Sequence, residues 1–186
     1  VLRDEAYYDA SGGGMTLSGG EPLMQPDFTR LLLQEAKARG LHTVLETSGY
    51  AMWGSVRPLV PFVDLWLFDY KETDRRLHEK YVGKTNELIL SNLKELHEAN
   101  AKIILRCPMI PKHNARREHL DGIAALAKSM PKIQGVELLP YYDLWRAKLD
   151  RFGLTTELSE TVKPPDGDTV KSWRDYLRSR GAPVVG

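Results

Sequence analysis

Leu65-Trp66-Leu67-Phe68-Asp69 is an unbroken apolar run closed by a carboxylate. Such a short run without alternation reads as a β-strand covered on both faces, the kind found in parallel sheets. Residues 86–99 follow, with Leu88, Ile89, Leu93 and Leu96 on one side of a predicted helix, and then a second strand, Lys102-Ile103-Ile104-Leu105-Arg106. Strand, helix, strand is a crossover unit, and it repeats in both directions. Upstream lie the short Met15-Thr16-Leu17, a helix opened by Pro26 and stopped at Gly40, and the β-branched His42-Thr43-Val44-Leu45-Glu46. Downstream, a helix from Arg116 to Met130 leads to Val136-Glu137-Leu138-Leu139-Pro140. The loop Lys163-Pro164-Pro165-Asp166-Gly167 precedes a last helix, Asp168 to Arg180. Five strands alternating with helices predict an α/β fold with a mostly parallel sheet, in one domain over residues 1–186. That number is too small for a closed eight-stranded barrel. A partial barrel or a doubly wound sheet remains.

The bulk numbers agree with one ordinary globular domain: 186 residues, 42% hydrophobic and 27% charged. Lys plus Arg number 26 against 25 Asp plus Glu, so neither nucleic acid nor an anionic membrane is expected as the main partner. No apolar run approaches a membrane span, and the start is no signal peptide. A lone cysteine, Cys107, excludes an internal disulfide framework and fits a cytoplasmic setting. The chain opens on Val1, which reads as a piece of a longer polypeptide.

The polar residues fall at strand ends. Ser18-Gly19-Gly20-Glu21 follows the first strand, Glu46-Thr47-Ser48 ends the second, and Asp69-Tyr70-Lys71 ends the third. Arg106 ends the fourth strand and Pro140-Tyr141-Tyr142 the fifth. Parallel strands bring their C-terminal ends to one edge, so these groups should meet in a single cleft. Three carboxylates crowded there need cationic company, or they become neutral. A zwitterionic ligand with an extra positive charge would suit them.

Each piece alone has a plainer reading. Ser11-Gly12-Gly13-Gly14 is neither a dinucleotide fingerprint nor a P-loop, and by itself is a flexible turn. Asp69 with Lys71 could be a solvated ion pair, and Arg106 could pair with Glu46. The five histidines lack zinc-ligand spacing. Cys107, within Arg-Cys-Pro, reads as a buried apolar filler.

Read in order, the strings resemble one family. Ala10-Ser-Gly-Gly-Gly-Met-Thr-Leu-Ser-Gly-Gly-Glu-Pro22 is similar to the stretch that marks the radical S-adenosylmethionine (SAM) activating enzymes of glycyl radical enzymes, the pyruvate formate-lyase activating type. Gly40 to Tyr50, Asp69-Tyr-Lys71, and Arg106 with Pro108 to Asn114 continue the likeness. So do His78 with Val82-Gly83 and Asn86, Glu137 to Tyr141, and Val162 to Pro165. The resemblance implies a partial (β/α) barrel, here missing its first strand. It implies SAM and a [4Fe–4S] cluster as cofactors, a glycyl radical enzyme as protein substrate, and an electron donor such as flavodoxin. Its oxidoreductase chemistry cleaves SAM reductively and takes a hydrogen from a glycine of the partner.

Carried over residue by residue, the likeness implies that the backbone at Gly19 and Gly20 and the carboxylate of Glu21 hold the methionyl amino group, with Ser18 among the cofactor-binding residues and Lys71 against the methionyl carboxylate. Glu46, Thr47, Asp69, Arg106 and Tyr142 would line the same cleft. Glu46 stands where the family commonly has Asp, and Tyr142 where many members have His. The cluster itself needs cysteines spaced C-x3-C-x2-C, and this sequence has one cysteine. The cluster is therefore expected only in the full-length parent, the fragment is expected to be inactive, and no catalytic or metal-ligating residue is assigned to it. An uncovered first strand also predicts edge pairing in a dimer, or a terminal segment folded over it. The rival readings are a small-molecule radical SAM enzyme, a redox-free SAM-binding module, and an aldolase-like barrel using Lys71 for a Schiff base.

Overall fold

The computed structural model describes residues 4–143, 151–153 and 162–186. Val1, on which the reading of a longer parent rests, lies outside them. A short helix α1 (Glu5–Ser11) leads into β1 (Gly14–Leu17). There follow α2 (Pro26–Ala38), β2 (His42–Thr47), the short α3 (Trp53–Val56) and β3 (Leu65–Asp69). Helices α4 (Arg75–Val82) and α5 (Glu87–Glu98) then lead to β4 (Ile103–Met109), α6 (Arg117–Ser129) and β5 (Gly135–Pro140). The described chain ends with α7 (Gly167–Ser179), whose N-cap Asp166 accepts from the Thr169 amide, and β6 (Val184–Val185). The five expected strands are present. The sixth, β6, is only two residues long and carries no periodicity to find.

The sheet runs β1-β2-β3-β4-β5-β6, and every neighbouring pair is parallel. This order removes the doubly wound alternative. Right-handed crossovers between strands laid down in sequence always fall on the same face, whereas a doubly wound sheet reverses its order midway. The result is an open, partial barrel with helices on its outside.

Burial follows from that. Leu45, Trp66, Phe68, Leu105, Cys107 and Val136 face the helices and are fully buried with Leu33, Leu93, Leu96 and Ile123. The alternate positions Glu46, Leu67, Asp69, Ile104, Arg106 and Glu137 line the concave face and are only half-buried. The expectation that Leu65–Asp69 is covered on both faces is therefore corrected. Its burial alternates, because an open barrel has one packed face and one concave face. The outer edge of β1 pairs with no strand among the described residues.

No described helix is long and apolar enough to cross a membrane.

Candidate functional site

The loop after β1 turns on Gly19 and Gly20, two consecutive residues in left-handed backbone (φ 81 and 59). A Cβ at either would meet nothing, so the demand for glycine is conformational and not spatial. The turn delivers Glu21 to the end of β2. Its Oε1 accepts from the Leu23 amide (3.1 Å) and Thr47 Oγ1 (2.6 Å). Its Oε2 accepts from the Ser48 amide (2.9 Å) and Ser48 Oγ (2.5 Å). Four donors match the four lone-pair directions of a carboxylate. Glu21 thus stitches the β1 loop to β2 and caps the 3₁₀ turn Pro22–Met24.

A ladder of charge crosses the concave face. Ser18 Oγ donates to Glu46 Oε2 (2.9 Å), and Arg106 lies 2.6 Å from Glu46 Oε1. Arg106 Nε also donates to Glu137 Oε2 (3.1 Å). One guanidinium therefore serves two carboxylates, and the plain pairing of Arg106 with Glu46 is what the fold adopts. Asp69 is in register with Arg106, yet its ion-pair partner is Lys71, at 3.4 Å. Burial pushes the Asp69 carboxyl up, and Lys71, the larger opposing influence, does not fully offset it; Glu46 pushes the same way as burial.

These groups surround a cleft of ≈ 190 Å³ lined by Ser18, Gly20, Glu21, Glu46, Thr47, Ser48, Asp69 and Lys71. All eight belong to the strand-end groups expected to meet in one cleft, although Ser48 was not among the residues carried over as lining a SAM site. Gly19 shapes the loop without lining the cleft, and Arg106 stands behind Glu46. Tyr142 is 64% exposed and is not among the lining residues.

Lys71 also lines a neighbouring cavity of ≈ 390 Å³, with Glu72, Lys80, Tyr81, His113 and Asn114 on its walls. Among the described residues no cluster of three or more His, Cys, Asp or Glu is placed to hold a metal ion. Cys107 is fully buried on the helix-facing side of β4, and burial pushes its thiol up.

Comparison with known proteins gives a consistent picture. Residues 4–124 match the model of the radical SAM superfamily. The chain is 39% identical over 173 residues to an isethionate sulfite-lyase activating enzyme of Nitratidesulfovibrio vulgaris, covering 88% of this chain and 55% of that protein. It is 38% identical over 189 residues to a (2S)-3-sulfopropanediol dehydratase activating enzyme of Klebsiella oxytoca, covering 100% of this chain and 60% of that protein. It is also 33% identical to the pyruvate formate-lyase-activating enzyme of Staphylococcus aureus over 187 residues, 97% of this chain and 74% of the relative.

The chain thus spans little more than half the length of the first two relatives. A solved domain of a pyruvate-formate lyase-activating enzyme from Bacteroides vulgatus superposes with a TM-score of 0.78 at 26% identity, covering 93% of this chain and 98% of that one. Streptococcus suis SuiB, solved with S-adenosylmethionine bound, shares the fold at a TM-score of 0.64 and 16% identity, over 91% of this chain and 36% of its own.

Proposed function

The chain belongs to the radical SAM superfamily and, within it, to the activating enzymes of glycyl radical enzymes; on that premise we propose that it is the SAM-binding core of such an activase. The protein substrate would be a glycyl radical enzyme, the electron donor a flavodoxin-like protein, and the setting cytoplasmic. A dimer contact, if formed, would use the outer edge of β1.

The carrying observation is the meeting of Ser18, Glu21, Glu46, Asp69 and Lys71, from three strand ends, in one small polar cleft. The donor set fits SAM. A half-buried carboxylate with its carboxyl pushed up, held by one lysine at 3.4 Å, gains from an additional positive group beside it. SAM brings two, the methionyl ammonium and the sulfonium. The chain's thiol does not fit an iron–sulfur cluster: it is single and sealed in the core, so it cannot supply the set of thiolates a cluster takes.

Bound SAM would supply hydrogen-atom abstraction from carbon, once one electron from an external donor splits its sulfonium C–S bond and methionine leaves. What this chain contributes is binding and orientation. Gly20 lines the cleft and brings its backbone to the methionyl amino group, while Gly19 holds the left-handed turn that puts it there. Glu21, already saturated by protein donors, gives that loop a fixed shape and a nearby negative charge. Lys71 offers the methionyl carboxylate a charge-assisted hydrogen bond. Asp69, beside Lys71, and Glu46, tempered by Arg106, provide the negative field for the ligand's cationic groups. Thr47 keeps the second strand end in register with Glu21.

Calorimetric titration of the chain with SAM tests the assignment. Asp69→Asn and Lys71→Met should each weaken binding by about tenfold or more. Unchanged affinity in both variants would refute the site.

A further inference from the structure

Residues 71–73 leave β3 without entering a helix, so their carbonyl groups have no ladder to join. Buried carbonyls in that position need other donors. Asn114, 4% exposed, donates its Nδ2 to the Lys71 carbonyl (2.8 Å) and to the Pro108 carbonyl (2.6 Å), while its Oδ1 accepts from the Ile110 amide (2.7 Å). Asn86, 3% exposed, donates to the carbonyls of Glu72 (3.2 Å) and Thr73 (3.1 Å). Three consecutive carbonyls are thus taken by two buried amide side chains.

The side chain of Glu72 fixes the same segment from beneath. It is 1% exposed and meets Arg116 through two parallel contacts of 2.6 Å each. The Thr73 amide donates to Nδ1 of the fully buried His119 (3.2 Å). None of Asn86, Asn114, Arg116 or His119 lines the SAM cleft. Asn114 does bridge the ends of β3 and β4, and Lys71 is the one residue of the clamped segment that reaches the cleft.

We infer that Asn114 is a positioning residue, whose amide sets the backbone of Lys71 so that its ammonium stands beside Asp69 and faces the carboxylate of the bound methionyl group. The inference rests on the reading of Lys71 given above. A long side chain delivers a charge to one place only when its Cα is fixed, and here the fixing is done by a neighbouring loop and not by the strand. Glu72 with Arg116 supports the same segment from below.

The test compares two ligands on the same chain: SAM, which carries the methionyl carboxylate, and 5′-methylthioadenosine, which lacks it. Asn114→Asp keeps the shape and removes both donors. It should weaken SAM by about tenfold or more and leave 5′-methylthioadenosine within about twofold. Lys71→Met should give the same selective loss, and the double variant should be no weaker than Lys71→Met alone. Equal loss of both ligands in Asn114→Asp, or additive losses in the double variant, would show general loosening and overturn the inference.

A Lys71→Met chain that binds SAM normally would instead defeat the reading of Lys71, and the inference would fall with it. So would an unsubstituted chain that takes up neither nucleoside. Should Asn114→Asp fail to fold, Glu72→Gln, which loosens the Arg116 clamp without touching the amides, must show the same carboxylate-selective loss in weaker form. Equal effects on the two ligands there count against the inference as well.

Discussion

Two carboxylates in the same cleft are built in opposite ways. Glu21, at the β1–β2 side, receives four neutral donors from Leu23, Thr47 and Ser48. Asp69, at the β3–β4 side, has a lysine at 3.4 Å, and burial pushes its carboxyl up. The first arrangement is complete within the protein, and the second is under-compensated. Satisfied polar groups rigidify a fold, whereas a desolvated charge short of partners costs stability and favours a cationic neighbour. The Glu21 side reads as scaffold, and the Asp69 side as the place where a ligand's positive charge is felt.

The largest effect that would sharpen this contrast lies below the Asp69 side, where Glu72, Arg116 and His119 carry the clamped segment. Burial holds His119 neutral, its pKa lowered to about 4 from an ordinary 6.5. The unfolded chain takes up that proton near 6.5 and the folded chain only near 4. Stability is therefore full above 6.5 and falls as pH drops through that window. Glu72, held below the usual carboxylate range by Arg116 in spite of its burial, adds to the loss at lower pH. Urea unfolding at about pH 7 and about pH 4.5 measures this, and His119→Gln should flatten the difference. An equally steep profile in that variant would point elsewhere.

A smaller effect is expected at Glu21. Glu21→Ala leaves its donors unmatched and should cost about 1–2 kcal/mol without any ligand present. Smallest of all is Asp69→Asn, which should change ligand-free stability by no more than about 1 kcal/mol, because a burial penalty and an ion pair vanish together. Asp69 also titrates in the opposite sense to His119: its raised carboxyl makes the folded state gain relative stability as pH falls through its folded value toward 3.8. Denaturant midpoints in the two variants decide the matter. If Asp69→Asn proved the more damaging of the two, the contrast between scaffold and ligand side would be reversed.

Much of this site was legible beforehand. Gly19-Gly20-Glu21, Glu46-Thr47 and Asp69-Tyr70-Lys71 sit where apolar runs stop, and a parallel sheet sends all such stops to one edge. The clamp was not legible. Glu72 and Arg116 are 44 residues apart, Thr73 and His119 are 46 apart, and nothing local marks either two as a pair. Asn86 and Asn114 were visible only as parts of a family likeness, without a task. Helix α4, whose N-cap Asp74 accepts from Leu77, escaped notice because it is short and mostly polar. The half-open face of β3 was missed because an apolar run looks the same whether one side of the strand or both are packed.

By itself, then, the sequence determined the alternation of the five main strands with their longer helices and the edge on which the polar groups gather, since both follow from periodicity and from chain direction in a parallel sheet. Only the tertiary structure decided which of those groups are satisfied by the protein and which are left for something else. That outcome depends on side chains from separate strands coming within about 3 Å of one another, a distance that no local pattern encodes.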